Sequence, residues 1–194
     1  RIISDTVQRG GSVLMPAFAV GRAQALMLIL QRLKAAGAIP AELPVYLDSP
    51  MAVQATALYH KHRRLLRVGA READHLADGV HMVADVQQSM RLTRSRWPSV
   101  IISASGMATG GRVLHHLKSM APQPRHHIVF PGFQVPGTRG AKMIEGAREA
   151  HRQGGGRLGF ERQVGQGVHH QRLVAQELAE GGTQAGVVHR LRQR

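Results

Sequence analysis

The sequence contains no cysteine among its 194 residues. This absence excludes a disulfide scaffold and any zinc site that uses cysteine ligands. Aromatic residues make up 4% of the chain against 43% hydrophobic residues, so the core must be mostly aliphatic. No apolar run approaches the length of about 18 residues that a transmembrane helix needs, so we expect no contact with a membrane.

Acidic residues are also scarce. The chain has 12 Asp and Glu against 26 Lys and Arg, which gives a formal net charge of +14. A field of this size favours a polyanionic partner, and nucleic acid is the usual one. Most of the basic residues are arginine, so a coding bias in a GC-rich gene is an alternative explanation that the composition leaves open.

The start of the chain at Arg1 carries neither an initiator methionine nor the charged-then-apolar pattern of a signal peptide. We interpret the sequence as a fragment of a longer protein. The lack of cysteine fits a reducing compartment, and we expect a cytoplasmic location.

Short apolar runs alternate with amphipathic segments over residues 1–150, which we interpret as one α/β domain. The clearest helix has Leu26, Ile29, Leu30 and Leu33 at spacings of three and four, and Gly37 is suited to end it. Strands that alternate with helices predict a mostly parallel sheet with helices on both faces. The predicted strands are 12–18, 44–48, 81–85, 99–105 and 126–133, and the predicted helices are 21–37, 50–62, 86–93, 109–119 and 139–149.

Residues 151–194 differ from the rest of the chain. They contain no Asp, Asn, Ser, Pro, Lys, Ile or Met and are rich in Gly, Gln and Arg. We expect an irregular, poorly folded tail. A frameshifted translation of a GC-rich gene is the alternative that this composition leaves open.

Loops that leave the carboxyl ends of parallel strands share one edge of the sheet, and ligands bind there. Two of these loops open a helix with an arginine in or beside its first turn, Arg22 after Gly21 and Arg112 after two glycines. Free backbone N–H groups and a guanidinium suit a phosphate at both sites, and for Arg22 an ordinary strand-to-helix turn with a solvated arginine is the alternative. The loops that we expect to converge are 16–22, 48–50, 103–112 and 132–140.

The other two loops carry different polar groups. Asp48 ends a buried strand, where its carboxylate needs a partner. It could orient an arginine, position a ligand hydroxyl, or serve with Ser49 only to cap the next helix. The last loop offers Gln134, Thr138 and Arg139, and together Arg22, Arg112 and Arg139 would form a cationic cleft.

The histidines show no metal-binding spacing. His115 and His116 are adjacent on a helix and point about 100° apart, so they cannot both bind one metal ion. We expect one of them to face the site and the other to pack or to lie in solvent. The 12 histidines therefore nominate neither a metal ligand nor a general base in this chain.

Four segments together resemble one family. They are similar to segments of the β-CASP branch of the metallo-β-lactamase-fold ribonucleases, and the bacterial and archaeal members resemble them most in sequence. The segments are "MPAFAVGRAQ", "YLDSPMAVQAT", "IISASGMATGGRVLHHLK" and "GFQVPGTRGAKMIEGA". The resemblance covers about residues 2–149 and keeps the order of the motifs. It implies that the domain over residues 1–150 is the β-CASP cap.

The family also has a metallo-β-lactamase domain, in which an HxHxDH motif and further ligands hold two zinc ions. That motif is not in this sequence, so the resemblance implies no catalytic residue, metal ligand or cofactor in this chain. It predicts the RNA-binding portion of a zinc-dependent ribonuclease that hydrolyses RNA phosphodiesters, inactive alone. The implied partners are RNA, the metallo-β-lactamase domain and, as an option, a second copy in a homodimer.

Two other functions remain as alternatives. One is a non-catalytic RNA-binding or subunit-interaction module of the same family, and the other is a small-anion or nucleotide-binding α/β protein. The family usually has Tyr and a basic residue where this sequence has Phe133 and Ala141. The resemblance implies RNA-phosphate or cleft roles for Arg22, Gln24, Asp48, Ser49, Ser105, Gly106, Arg112, His116, Gln134, Thr138 and Arg139.

Overall fold

A computed structural model describes residues 1–146, 149–151 and 157–159. Most of the predicted irregular tail lies outside these described residues, and the division at residue 150 stays a prediction. The helices are α1 (Ile2–Gln8), α2 (Arg22–Ala35), α3 (Pro50–Lys61), α4 (Ala70–Asp74), α5 (Val86–Thr93), α6 (Val113–Met120) and α7 (Arg139–Ile144). The strands are β1 (Val13–Pro16), β2 (Val45–Asp48), β3 (Val80–Val83), β4 (Val100–Ser103), β5 (His127–Ile128), β6 (Glu149–His151) and β7 (Arg157–Gly159).

The main sheet has five parallel strands in the order β3-β2-β4-β1-β5. The predicted α/β class with a parallel sheet is therefore confirmed. β4 lies at the centre, with Asp48 of β2 and Pro16 of β1 both in register with Ser103. The separate strands β6 and β7 pair with each other in antiparallel fashion.

Alternate residues of the strands fill two cores. Val100 and Ile102 point to one face, where they join Leu26 of α2, whereas Ile101 points to the other face and joins Leu117 of α6. Both sheet faces bury almost entirely aliphatic side chains, as the low aromatic content requires. Helices α1–α3 cover the first face and α5–α7 cover the second, so the prediction of helices on both faces is also confirmed.

Several element boundaries differ from the predicted ones for local reasons. α6 begins four residues later than predicted because Ala108 and Gly111 have φ angles of 54° and 73°, which interrupt a right-handed helix. α1 was not predicted, since only Ile3 and Thr6 are buried along its short length. None of the helices among the described residues is long and apolar enough to cross a bilayer.

Candidate functional site

The four predicted loops meet at the carboxyl edge of the sheet. The Ala17 amide donates a 3.0 Å hydrogen bond to the Ser103 carbonyl, and the Ser103 hydroxyl donates a 3.2 Å bond to the Asp48 carbonyl. These bonds tie the ends of β1, β4 and β2 together. The convergence follows from the parallel strand order, which places all these strand ends on one edge.

The loops after β1, β4 and β5 also pack directly on one another. A Cβ added to Gly106 would lie 3.0 Å from the Phe18 amide nitrogen, so a glycine allows this close approach. The Gln134 amide donates a 3.1 Å hydrogen bond to the Gly106 carbonyl. A Cβ on Gly132 would lie 3.8 Å from Arg22 Nε, which brings the start of α2 beside the last loop.

Asp48 is the centre of a buried polar cluster. Its Oδ1 accepts a 2.8 Å hydrogen bond from Arg112, and its Oδ2 accepts bonds of 2.6 Å from Ser89 and 2.6 Å from His116 Nε2. The side chains of Asp48 and His116 are both 0% exposed. Thr93 extends the cluster, with its hydroxyl 3.1 Å from His116 Nδ1. Of the alternatives for Asp48, the structure shows that it orients an arginine.

The charge of this cluster follows from its hydrogen bonds. Burial alone would raise the pKa of Asp48, but the bonds from His116, Ser89 and Arg112 outweigh burial and lower this pKa. Asp48 is therefore ionised at neutral pH, and His116 must carry a proton on Nε2 to donate to it. His115, by contrast, is exposed, whereas His116 is packed inside the protein, and a role for either histidine toward a ligand stays a prediction.

The guanidinium of Arg112 is bound within the protein. Beside its bond to Asp48, it donates a 3.0 Å hydrogen bond to the Val83 carbonyl and a 2.6 Å bond to the Ala84 carbonyl. The same side chain thus joins β2, the end of β3 and the loop after β4. Its 16% exposure leaves little of the cation for an external ligand.

Arg139 is also turned inward. Only 8% of this residue is exposed, and its guanidinium donates to the Ala108 carbonyl. Burial lowers the pKa of Arg139.

The predicted cleft of three arginines does not form as expected, since Arg112 and Arg139 bind carbonyls and a carboxylate of the protein. Arg22 remains, and among the described residues no ion pair or hydrogen bond engages its guanidinium.

Gln24 holds the loop after β1 in place. Its Oε1 accepts a 2.7 Å hydrogen bond from the Gly21 amide, and its Nε2 donates a 3.0 Å bond to Thr56 on α3. Gln24 is 2% exposed, so its side chain supports the loop from the protein interior. A contact between Gln24 and a ligand would require this loop to open.

Ser49 and Thr138 act as helix caps. The Ser49 hydroxyl accepts a 3.2 Å hydrogen bond from the Ala52 amide, and the Thr138 hydroxyl accepts a 3.3 Å bond from the Ala141 amide. Each bond satisfies an N–H group that has no partner inside its own helix. Capping therefore accounts for both side chains without a ligand.

The outer surface of the edge is formed by other groups. Phe18, in the loop that leads to Arg22, is 51% exposed, and Phe133, which follows Gly132 near Arg22, is 78% exposed. Ser105 is partly exposed, and its hydroxyl lies 3.1 Å from that of Thr109. The sequence analysis did not name the two phenylalanines as site residues, although Phe18 follows β1 by two positions and Phe133 follows Gly132 in a strand-end loop. An aromatic–cationic rim of this kind suits bases and phosphates.

The described residues do not fit the zinc centre that the family resemblance implies for the complete enzyme. No group of three or more His, Asp or Glu side chains lies close enough among them to hold a metal ion. Asp48 and His116, the closest such pair, are joined to each other and to Arg112, whose positive charge opposes metal binding.

A family model described as the Beta-Casp domain matches residues 23–143. A transcription termination factor FttA from Pyrococcus horikoshii is 37% identical over 155 residues, which cover 76% of this chain and 23% of that protein. The factor of the same name from Methanocaldococcus jannaschii is 38% identical over 156 residues, covering 77% of this chain and 24% of its own. Ribonuclease TTHA0252 from Thermus thermophilus is 38% identical over 156 residues, covering 74% of this chain and 34% of the ribonuclease. The chain therefore spans about a quarter to a third of the length of these curated relatives.

Proposed function

The chain belongs to the Beta-Casp domain family, and from this membership we propose that it is the RNA-binding part of a zinc-dependent ribonuclease that hydrolyses RNA phosphodiesters. One similar protein is named a ribonuclease, and others are named transcription termination factors. Both names are compatible with a protein surface that grips RNA. The formal charge of +14 supports the same proposal, because phosphate contacts dominate the affinity of nucleic-acid binding.

The observation that carries the proposal is Arg22 at the exposed edge of the sheet. It stands at the first residue of α2, where the helix dipole adds to its positive charge, while the amides of Arg22 and Ala23 donate to the carbonyls of Val20 and Phe18. The exposed residues Phe18 and Phe133 belong to the two loops that meet beside it. In this proposal a phosphate binds the guanidinium of Arg22, while neighbouring bases stack on the phenylalanines.

Asp48, Arg112 and His116 have a positioning role in this proposal. Their buried bonds fix the ends of β2 and β3 and the loop before α6, which in turn contacts the loop of Phe18. The cluster holds the rim in a binding conformation without touching RNA. The rigidity of a fully hydrogen-bonded buried network supports this assignment.

Hydrolysis itself is proposed for the complete protein only. A metallo-β-lactamase domain would supply the zinc ions, whose chemistry is to activate a water for attack on the phosphodiester. The residues described here bind and orient the RNA. The alternative, a non-catalytic RNA-binding or subunit-interaction module, is favoured by the exposed apolar side chains Val20, Met51 and Phe133 at the same edge.

Exchange of one arginine tests the proposed site. Arg22→Ala should weaken binding of a single-stranded oligouridylate of about eight nucleotides by about tenfold, the scale of a lost charge-assisted contact. It should also reduce the slope of log affinity against log salt by about one phosphate contact. Fluorescence anisotropy over a salt series measures both quantities.

Arg64→Ala is the matched control, because Arg64 is exposed and lies on the short helix Arg63–Leu65, away from the strand ends. Its affinity should stay within about twofold of the parent. Equal losses for Arg22→Ala and Arg64→Ala would show that diffuse charge binds RNA, and would overturn the proposed site. In the complete protein, zinc-dependent RNA cleavage distinguishes the ribonuclease from the non-catalytic module.

A further inference from the structure

Helices α5 and α6 form a basic face on the second side of the sheet. Residues 86–99 and 111–126 contain no Asp or Glu, whereas they contain six Arg and Lys. Arg94, Arg96 and Lys118 are exposed on this face. So long an acid-free stretch creates an uncompensated positive field beside the carboxyl edge of the sheet.

Two hollows follow this face from one edge of the sheet to the other. The larger, of about 920 Å³, lies between α5 and α6, with Met90 and Leu114 as its apolar part and Arg94 and Lys118 as its exposed cations. It begins beside the loop of the candidate site, because Gly111 and Arg112 line it.

The smaller hollow, of about 280 Å³, lies at the amino ends of the strands. Ser12 and Ser99, which directly precede β1 and β4, line it together with Arg96 and Arg125. Thr93, Arg94 and Ser119 line both hollows. These three shared residues make the two hollows adjacent, and we call the pair the α5–α6 groove.

Trp97 adjoins the smaller hollow through its carbonyl, which is bound by the lining residue Ser12. It is the only tryptophan of the chain and is 80% exposed. Its backbone is fixed, since its carbonyl accepts a 3.2 Å hydrogen bond from Ser12, and the same hydroxyl accepts a 3.1 Å bond from the Ser99 amide. The large ring of Trp97 is exposed to solvent, and Arg96 precedes it in the chain.

We propose that this groove is a path for single-stranded RNA, which runs from the carboxyl-edge loops along α5 and α6 and ends with a base stacked on Trp97. This inference rests on the proposed RNA-binding function and extends it to a second contact surface. The cations along the groove match a sugar–phosphate backbone, and an exposed indole offers the stacking surface that unpaired bases use. A duplex keeps its bases stacked on each other and would leave Trp97 without a partner.

The emission of Trp97 gives a direct test, because the full chain has no other tryptophan. An oligouridylate of about sixteen nucleotides should quench this emission on binding, whereas one of about four nucleotides should bind at the loops without quenching. Polyphosphate, which has charge but no bases, should bind without quenching. An emission change that depends on protein concentration without RNA would show that Trp97 contacts a second copy, and would overturn the inference.

Substitutions test the path independently of emission. Trp97→Ala should weaken binding of the longer oligouridylate by about tenfold and leave the shorter one unchanged. Leu65→Ala is its control, since Leu65 is also 80% exposed but lies outside the groove. Arg94→Ala with Arg96→Ala should likewise weaken only the longer RNA, against Arg64→Ala with Arg67→Ala as the charge-matched control.

The outcomes separate this inference from the proposed loop site. If Arg22→Ala weakens RNA binding but Trp97 emission and the Trp97→Ala affinity do not change, the path is wrong and the loop site stands. If the longer RNA quenches Trp97 while Arg22→Ala has no effect, the path stands and the loop site is wrong. If the chain binds neither RNA, both are overturned.

Discussion

His116 Nε2 lies 2.6 Å from Asp48 Oδ2, and neither side chain is exposed. The bond connects α6 to the end of β2 across the central part of the fold. Because Arg112 binds the other carboxylate oxygen, one negative charge holds two side chains of the segment that follows β4. The family-like motif "SGMATGGRVLHHLK" thus contains two of the partners of Asp48.

Removal of the charge of Asp48 should destabilise the whole domain. Asp48→Asn leaves Arg112 without its carboxylate in a buried site, and breaking such a pair costs about 3–5 kcal/mol. Chemical denaturation should show this loss in the free energy of unfolding. Asp85→Asn is the matched control, because Asp85 caps α5 at an exposed position and Asn caps equally well. A loss for Asp48→Asn as small as that of the control would contradict the role of the cluster.

The same cluster predicts a response to acid. The pKa of Asp48 is lowered from its ordinary value of 3.8. Its stabilisation is therefore fully present above that value and is lost as the pH falls from there through the lower pKa of the folded state. The unfolding midpoint of the parent should drop steeply below about pH 4, where that of Asp48→Asn should depend less on pH. Parallel curves for the two proteins would show that other carboxylates control acid unfolding.

His126 predicts a second pH effect in a milder range. Burial, with a contribution from the charge of Arg125, lowers the pKa of His126 from 6.5. Its Nδ1 accepts a 2.9 Å hydrogen bond from the Ser12 amide, so protonation there would remove the acceptor. Since the unfolded chain binds the proton more readily, stability should fall by about 1 kcal/mol as the pH decreases through the window just below 6.5.

An asparagine tests this effect because its side-chain oxygen accepts a hydrogen bond but does not titrate. His126→Asn should flatten the stability profile between about pH 7 and pH 5, measured by thermal unfolding at each pH. His62→Asn replaces an exposed histidine at the end of α3 and should keep the slope of the parent. If only His62→Asn flattens the profile, the pH effect comes from His62 and the prediction for His126 is wrong.

The sequence was most informative where periodicity decides the structure. The helix 86–93 was predicted with the boundaries of α5, and the alternation of strands and helices predicted the sheet type. The convergence of the loops also followed, because it is a property of parallel strands and needs no knowledge of side-chain contacts. These features depend on local pattern and on general topology.

The partners within the site could not be read in this way. The burial of Asp48 predicted that it needs a partner, but Arg112 is 64 positions away and several arginines were available. The inward turn of Arg139 depends on the carbonyl of Ala108, whose direction is set by an irregular loop. Side-chain pairing between residues far apart in the sequence is fixed by the packed fold. The sequence therefore did not reveal that Arg112 and Arg139 have partners within the protein.

Close loop packing predicts a difference between two glycines of one loop. Gly106→Ala places a Cβ 3.0 Å from the Phe18 amide nitrogen, and the backbone must move. Overpacking of this kind costs about 1–3 kcal/mol and should also weaken oligouridylate binding, because Phe18 belongs to the rim. Gly110→Ala meets nothing within 4 Å and should leave stability and binding close to the parent. Equal behaviour of the two variants in thermal unfolding would show that the loop adapts without cost.

The purified chain should not cleave RNA, even with added zinc. A catalytic zinc needs about three protein ligands, and no such group of His, Asp or Glu exists among the described residues, while cysteine is absent from the whole sequence. The measurement is incubation of end-labelled single-stranded RNA with the chain and zinc, followed by gel analysis. Anisotropy on the same sample should show that the RNA is bound, so that a negative result reports chemistry and not lost affinity. The prediction is contradicted if the chain cleaves RNA only with zinc, if a chelator stops the cleavage and if Arg22→Ala reduces it. That result would place a catalytic centre within this chain, whereas the proposal assigns hydrolysis to another domain of the complete protein.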